Sequence, residues 1–159
     1  MRALVYALPV VVLDQASKYL VRQNLELHAS VNVLGNFFRL TYVENSGIVF
    51  GIRVGSTLPL FTLLSVVASL LILTYLYYER TSPIFTRISL AVVLGGAIGN
   101  LIDRLMYGSV VDFLDFGLGP YRFFVFNVAD SAVTVGIIAF LLLPYLLAAR
   151  PESVANESA

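Results

Sequence analysis

The sequence predicts an all-α membrane protein of four transmembrane helices, with a small β-rich platform built from its two long links. Three observations carry this. Hydrophobic residues make up 58% of the chain and charged residues 13%, against roughly 45–50% and about 25% in an ordinary soluble domain. The mean hydropathy is +0.86. The apolar residues gather into four segments, each close to the about 20 residues that a bilayer-spanning helix needs. The 159 residues hold four such helices and their links, so 1–150 read as one transmembrane four-helix domain.

The first segment runs from Ala3 to about Val21 and contains Pro9, Asp14 and Lys18. Arg2 before an apolar run imitates a secretory leader. No small-x-small cleavage site follows, however, and Asp14 and Lys18 sit where cleavage would fall, so the segment reads as a retained helix. The link from Arg22 to Thr57 carries Phe37–Val43, rich in strand formers, then a turn-like Asn45-Ser46-Gly47 and the apolar run Ile48–Ile52. The second segment, Leu58–Tyr78, has no charge. A short link, Glu79–Arg87, leads to the third, from near Ile88 to Asp103. The link Tyr107–Asn127 contains Val110–Phe116, where apolar and acidic residues partly alternate, and the aromatic, strand-like Tyr121–Phe126. The fourth segment, Ser131–Ala149, is again uncharged, and its Pro144 is tolerable within a membrane helix. The polar tail 151–159 reads as disordered.

With four spans, both long links fall on one side, and their aromatics suit the headgroup level. The Lys/Arg count leaves orientation undecided. Arg2, Arg80, Arg87 and Arg150 lie on the side of the termini, against Lys18, Arg22, Arg39, Arg53, Arg104 and Arg122 opposite.

Composition also bounds the chemistry. There is no cysteine and a single histidine, His28, which removes thiolate nucleophiles, disulfides and Cys- or His-rich metal sites. No phosphate-cradling glycine motif occurs. Zero formal net charge argues against nucleic acid as a partner. What remains is carboxylates, hydroxyls, amides and basic groups. Ionisable residues near a span cost roughly 2.5–3.5 kcal/mol each at its centre, and six occupy such positions: Asp14, Lys18, Asp103, Arg104, Asp112 and Asp130. All lie towards the side of the long links. Charges gathered at one end suggest a site at the membrane–water boundary. Asp112 and Asp130, if close, would share a proton and activate a water, giving peptide hydrolysis without metal, Cys or His. Spacing alone equally fits a solvated loop carboxylate at Asp112 and a helix cap at Asp130.

The runs Gly95–Arg104, Gly108–Phe113 and Phe126–Ser131, with Leu13–Lys18 and Asn45-Ser46-Gly47 before them, resemble the signature blocks of lipoprotein signal peptidase (signal peptidase II). The resemblance covers about 12–135. It implies a bacterial inner-membrane aspartyl endopeptidase that cleaves prolipoproteins just before a diacylglyceryl-modified cysteine. Asp112 and Asp130 match the catalytic pair. Asn45, Gly47, Asn100, Arg104, Val110, Asn127 and Ala129 match substrate- or inhibitor-lining positions. Asp14, Lys18 and Asp103 match structural supports. No cofactor or metal is implied. The expected partners are the lipid-modified prolipoprotein, membrane lipid and a globomycin-type cyclic peptide inhibitor, with the protein a monomer. The termini are expected in the cytoplasm and the platform and site at the extracytoplasmic face. Ile48 and Val49 depart from the small residues usual after this Asn-x-Gly.

Bland alternatives stand beside these roles. Arg104 would serve equally as a partner of Asp103, Asn100 as a helix bridge, Asn45 and Gly47 as a turn and Asn127 as a cap. Asp14 needs Lys18 or a backbone amide. Gly95 and Gly99 read as close helix packing, and Ser17 beside Lys18 points away from it. Asp115, His28 and the Tyr75, Tyr77, Tyr78 cluster read as loop and interface residues. Two rivals remain: a small proton-coupled transporter using Asp14, Asp103 and Asp130, and a non-catalytic adaptor.

Overall fold

A computed structural model describes residues 2–46 and 60–148. A 3-10 turn, Arg2–Tyr6, leads into α1 (Ala7–Asn24), and strands β1 (Ser30–Leu34) and β2 (Phe38–Asn45) follow. Helix α2 (Leu60–Tyr78) connects through a short 3-10 turn, Glu79–Thr81, to α3 (Ile84–Tyr107). Strands β3 (Val110–Leu118) and β4 (Tyr121–Arg122) then precede α4 (Val128–Ala148). Among the described residues, four helices are long and apolar enough to cross a membrane, and their exposed leucines, isoleucines and valines form the lipid-facing surface such helices need.

Helix α3 is the axis of the bundle, packed against α1, α2 and α4. Its small residues permit this. A Cβ at Gly95 would come within 2.8 Å of the Ala7 carbonyl oxygen, and one at Gly96 would collide with the Ala129 carbonyl. A Cβ at Gly99 would come within 2.5 Å of the Asp14 carboxylate. Close packing is therefore what the Gly95 and Gly99 spacing does. Helix α3 ends at Gly108, whose left-handed backbone (φ 74°) lets its N–H close on the Arg104 carbonyl at 3.1 Å.

The strands form one antiparallel sheet in the order β1-β2-β3-β4. The α2–α3 hairpin is inserted between the two central strands, so the sheet covers the end where α1 and α3 finish and α4 begins. Register sets Val110 opposite Asn45 and Asp112 opposite Val43. Val21, Tyr42, Val111 and Phe113 are buried together, with Val128 against them, and seat the sheet on the helix ends. The rings of Phe38, Phe116 and Phe126 stack beyond them at 4.7 and 5.8 Å.

Several boundaries differ from the sequence reading. Helix α1 continues to Asn24, α3 begins at Ile84, and α4 begins at Val128 rather than Ser131. Strand β1 was not foreseen: it is five residues long and exposed along its length, and only Ser30-Val31-Asn32-Val33 alternates. Of the strand expected over Tyr121–Phe126, only Tyr121–Arg122 forms, with an isolated bridge from Phe126 to Leu114. Asp115 is no loop residue. It is buried in β3, bound by Arg39, Thr41 and Arg122 at 2.7, 2.7 and 2.6 Å. Burial raises its pKa, but these hydrogen bonds outweigh burial and hold the carboxyl below its ordinary value. Gly47, Ile48–Ile52 and the tail 151–159 lie outside the described residues.

Candidate active site

The site forms where α4 starts. Asn127 is the residue before the helix, and Asp130 lies in its first turn. The Asp130 backbone N–H donates to Asn127 Oδ1 at 2.9 Å, and the Asn127 backbone N–H donates to Asp130 Oδ2 at 3.3 Å. This is a reciprocal capping box. Asn127 is the cap, and Asp130, expected as the cap, is instead its partner inside the first turn; the cap also builds the site. With Oδ1 committed, the Asn127 amide turns its Nδ2 to Asp112 Oδ1 at 2.6 Å. One buried residue thus holds both carboxylates, Asp112 through its side-chain Nδ2 and Asp130 through its backbone N–H. Asn45, reaching across from β2, donates to Asp112 Oδ2 at 3.0 Å. Burial lifts the Asp112 carboxyl from 3.8 to about 6; the Asn45 hydrogen bond opposes this and the neighbouring negative Asp130 adds to it.

Asn100, on α3, donates from Nδ2 to Asp130 Oδ1 at 2.7 Å. Its Oδ1 accepts from Lys18 Nζ at 2.8 Å and from Asn127 Nδ2 at 3.2 Å. Beneath lies a dry ionic cluster. Lys18 is fully buried, with Asp14 at 2.8 Å and Asp103 at 3.2 Å. Arg22 approaches Asp103 at 3.7 Å. Asp14 Oδ1 accepts the Ala129 N–H at 2.9 Å, and Asp103 Oδ2 accepts the Val111 N–H at 3.1 Å. Asp14 therefore has both partners foreseen for it, the lysine and a backbone amide. Each lower carboxylate holds the residue just before a candidate catalytic aspartate.

Arg104 does not pair with Asp103. It donates to Ser65 Oγ of α2 at 3.1 Å and lines a cleft of about 320 Å³ with Ser65, Ala68, Ala97, Asn100 and Asp130. Val110 is buried opposite Asn45, and Ala129 is buried against α3 beside Gly96 and Gly99. Ser17 Oγ donates to the Asp14 carbonyl at 2.8 Å, a helix-internal bond.

Two contributors were missed. Gln15 Nε2 bridges Asp14, the Gly99 carbonyl and Asp103 at 3.2, 3.0 and 3.1 Å. Ser65 anchors Arg104. Gln15 carried a usable signal, an amide within an apolar span. Ser65 carried none, since a serine in such a helix can bond its own backbone, and this one also does so, to the Phe61 carbonyl.

Comparison with known proteins adds an independent line. The family described as Signal peptidase (SPase) II matches residues 6–146. A lipoprotein signal peptidase of Moorella thermoacetica is 45% identical over 144 residues, covering 89% of this chain and 93% of that protein. One of Syntrophus aciditrophicus is 40% identical over 148 residues, covering 91% of each. A solved bacterial membrane enzyme superposes with a TM-score of 0.75 at 29% identity, over 95% of this chain and 92% of that one.

Proposed function

Because this chain belongs to the signal peptidase II family, we propose that it is a multi-pass membrane protease that removes signal peptides from prolipoproteins by aspartic catalysis at Asp112 and Asp130. The observation that carries the reading is the Asn127 side chain, which binds the helix start of Asp130 and the Asp112 carboxylate at once.

The chemistry follows from two carboxylates sharing a proton. The ionised member takes a proton from a water held between them as that water attacks the scissile carbonyl. The protonated member donates to the carbonyl oxygen, giving a tetrahedral diol. Collapse of the diol breaks the C–N bond, and a carboxyl proton passes to the leaving amine. Either aspartate can hold the shared proton at the start, so neither is assigned one fixed role. Asn45, Asn100 and Asn127 donate to the carboxylates, and Arg104 faces the cleft that leads to Asp130.

The scissile bond lies just before a cysteine whose acyl chains hold the substrate in the bilayer. The membrane then delivers the bond to the sheet end of the bundle and supplies part of the entropy of meeting. In this reading the protein sits in the bacterial inner membrane with its termini cytoplasmic and the sheet outside. A globomycin-type cyclic peptide competes for the same cleft. Ionisable groups collected at one end, rather than strung through the bundle, disfavour the transporter reading.

The test is incubation with a diacylglyceryl-modified prolipoprotein and mass measurement of the products. Wild-type enzyme releases the signal peptide. Asp112→Asn and Asp130→Asn each insert normally and lose turnover by several orders of magnitude. Normal cleavage by either variant refutes the dyad.

A further inference from the structure

The buried lysine below the dyad has no proton to spare. Lys18 Nζ has three donors, and three acceptors surround it: Asp14 Oδ2, Asp103 Oδ2 and Asn100 Oδ1 at 2.8, 3.2 and 2.8 Å. It is fully buried, so it touches neither water nor substrate. Each of its partners reaches the dyad. Asp14 holds the N–H of Ala129, the residue before Asp130. Asp103 holds the N–H of Val111, the residue before Asp112. Asn100 donates to the Asp130 carboxylate itself.

The Asn100 arm carries a further constraint. An amide has one accepting and one donating end, and a flipped amide would set its oxygen against the Asp130 oxygen. Lys18 only donates, and it is the nearer of two donors to the Asn100 oxygen, Asn127 Nδ2 being the other at 3.2 Å, so the oxygen faces Lys18 and the NH2 faces Asp130. The geometry points to Lys18 as a positioning residue: its ammonium sets the spacing of Asp112 and Asp130 through Asp14 and Asp103, and fixes Asn100 as a donor to Asp130. This rests on the reading of Asp130 as catalytic.

The variant must not strand a buried charge. Asp14, Lys18, Arg22 and Asp103 together are neutral, and Lys18→Met combined with Asp103→Asn stays neutral, while the asparagine oxygen still accepts from Val111. Turnover of a lipidated prolipoprotein is measured per folded molecule, with the folded fraction taken from the melting curve. The expected result is a kcat lower by about 10- to 100-fold, the scale of one charge-assisted hydrogen bond, with KM within about 2-fold. Added to Asn100→Ala, the same pair of changes costs less than it does alone, because one of the two arms it acts through is already gone. A kcat within about 2-fold of wild type overturns the positioning role, and losses that multiply fully overturn its Asn100 arm. Asp130→Asn, run alongside, separates the two claims, since turnover there refutes the dyad itself.

Discussion

Replacing Asn127 by alanine and by serine separates its two jobs. The alanine variant loses the cap on α4, about 0.5–2 kcal/mol, together with the 2.6 Å bond to Asp112, worth about 1.5–3 kcal/mol because its acceptor is charged. The serine variant keeps a hydroxyl able to cap the helix but cannot reach Asp112. The two should therefore differ in stability by about 1 kcal/mol, which for a chain of this length is about 2–4 °C in melting midpoint. Turnover should not follow that ranking. Both variants strip the donor from Asp112 Oδ1 and leave only Asn45 on the other oxygen, and a misplacement of about 1 Å costs on the order of 100-fold. The assay pairs thermal unfolding in detergent with kcat on lipidated prolipoprotein, normalised to folded protein. A serine variant that turns over like wild type would show that Asn127 is only a cap and would remove the central support for the dyad.

Other outcomes follow from the same geometry. The Asp112 carboxyl is higher in the folded protein, about 6 against 3.8, so the native state binds more protons across that interval and stability falls as pH rises from about 4 to 6. At 1.36 kcal/mol per pH unit the fall is about 3 kcal/mol; equilibrium unfolding against pH should show it in wild type and lose it in Asp112→Asn. Gly99→Ala drives a methyl to 2.5 Å from the Asp14 carboxylate, and a stability loss of about 1–3 kcal/mol is expected; an unchanged melting midpoint would contradict the packing. The chain has no cysteine, so Ser30→Cys in β1 and Thr81→Cys in the α2–α3 turn report topology directly. In intact cells a membrane-impermeant maleimide should label the first and spare the second, and the reverse pattern refutes the proposed orientation.

The spans were legible because apolar runs are long and charge inside them is costly. Their ends were less so. Ser131 looks like a natural helix start, yet α4 begins three residues earlier because Asn127 and Asp130 cap each other, a pattern identical in sequence to a polar loop. The exposed β1 alternates only over Ser30-Val31-Asn32-Val33, too short a run to stand out, and Asp115 reads as a loop acid until the arginines of β2 and β4 are seen around it. In the site, residue types and spacing suggested which groups matter. They did not reveal that Asn127 joins the two aspartates, nor that Arg104 turns to α2 while Asp103 turns to α1. A pairing of Arg104 with Asp103 was one reading of the sequence, but the bundle packs α3 on three sides and splits the two between α2 and α1.

The arrangement of the helices bears on how a lipid-anchored substrate reaches the water. Helices α2 and α4 both pack on α3, and they meet each other through Tyr75 and Phe140, whose rings stand edge to face at 6.0 Å. That contact lies far along α4 from Asp130. Nearer the sheet, the cleft runs between them, walled by Ser65 and Ala68 of α2 and by Val133 and Thr134 of α4, with Ala97 and Asn100 of α3 as its floor. Its walls are small and mostly apolar until Arg104 and Asp130, so an extended peptide can enter sideways from lipid without first being hydrated. The sheet closes the opposite side, where Tyr42, Val111 and Phe113 are packed dry. Asp112 is buried on β3 while Asp130 opens to the cleft. In the proposed dyad the two carboxylates therefore stand in unequal surroundings, which favours one holding the proton while the other stays ionised.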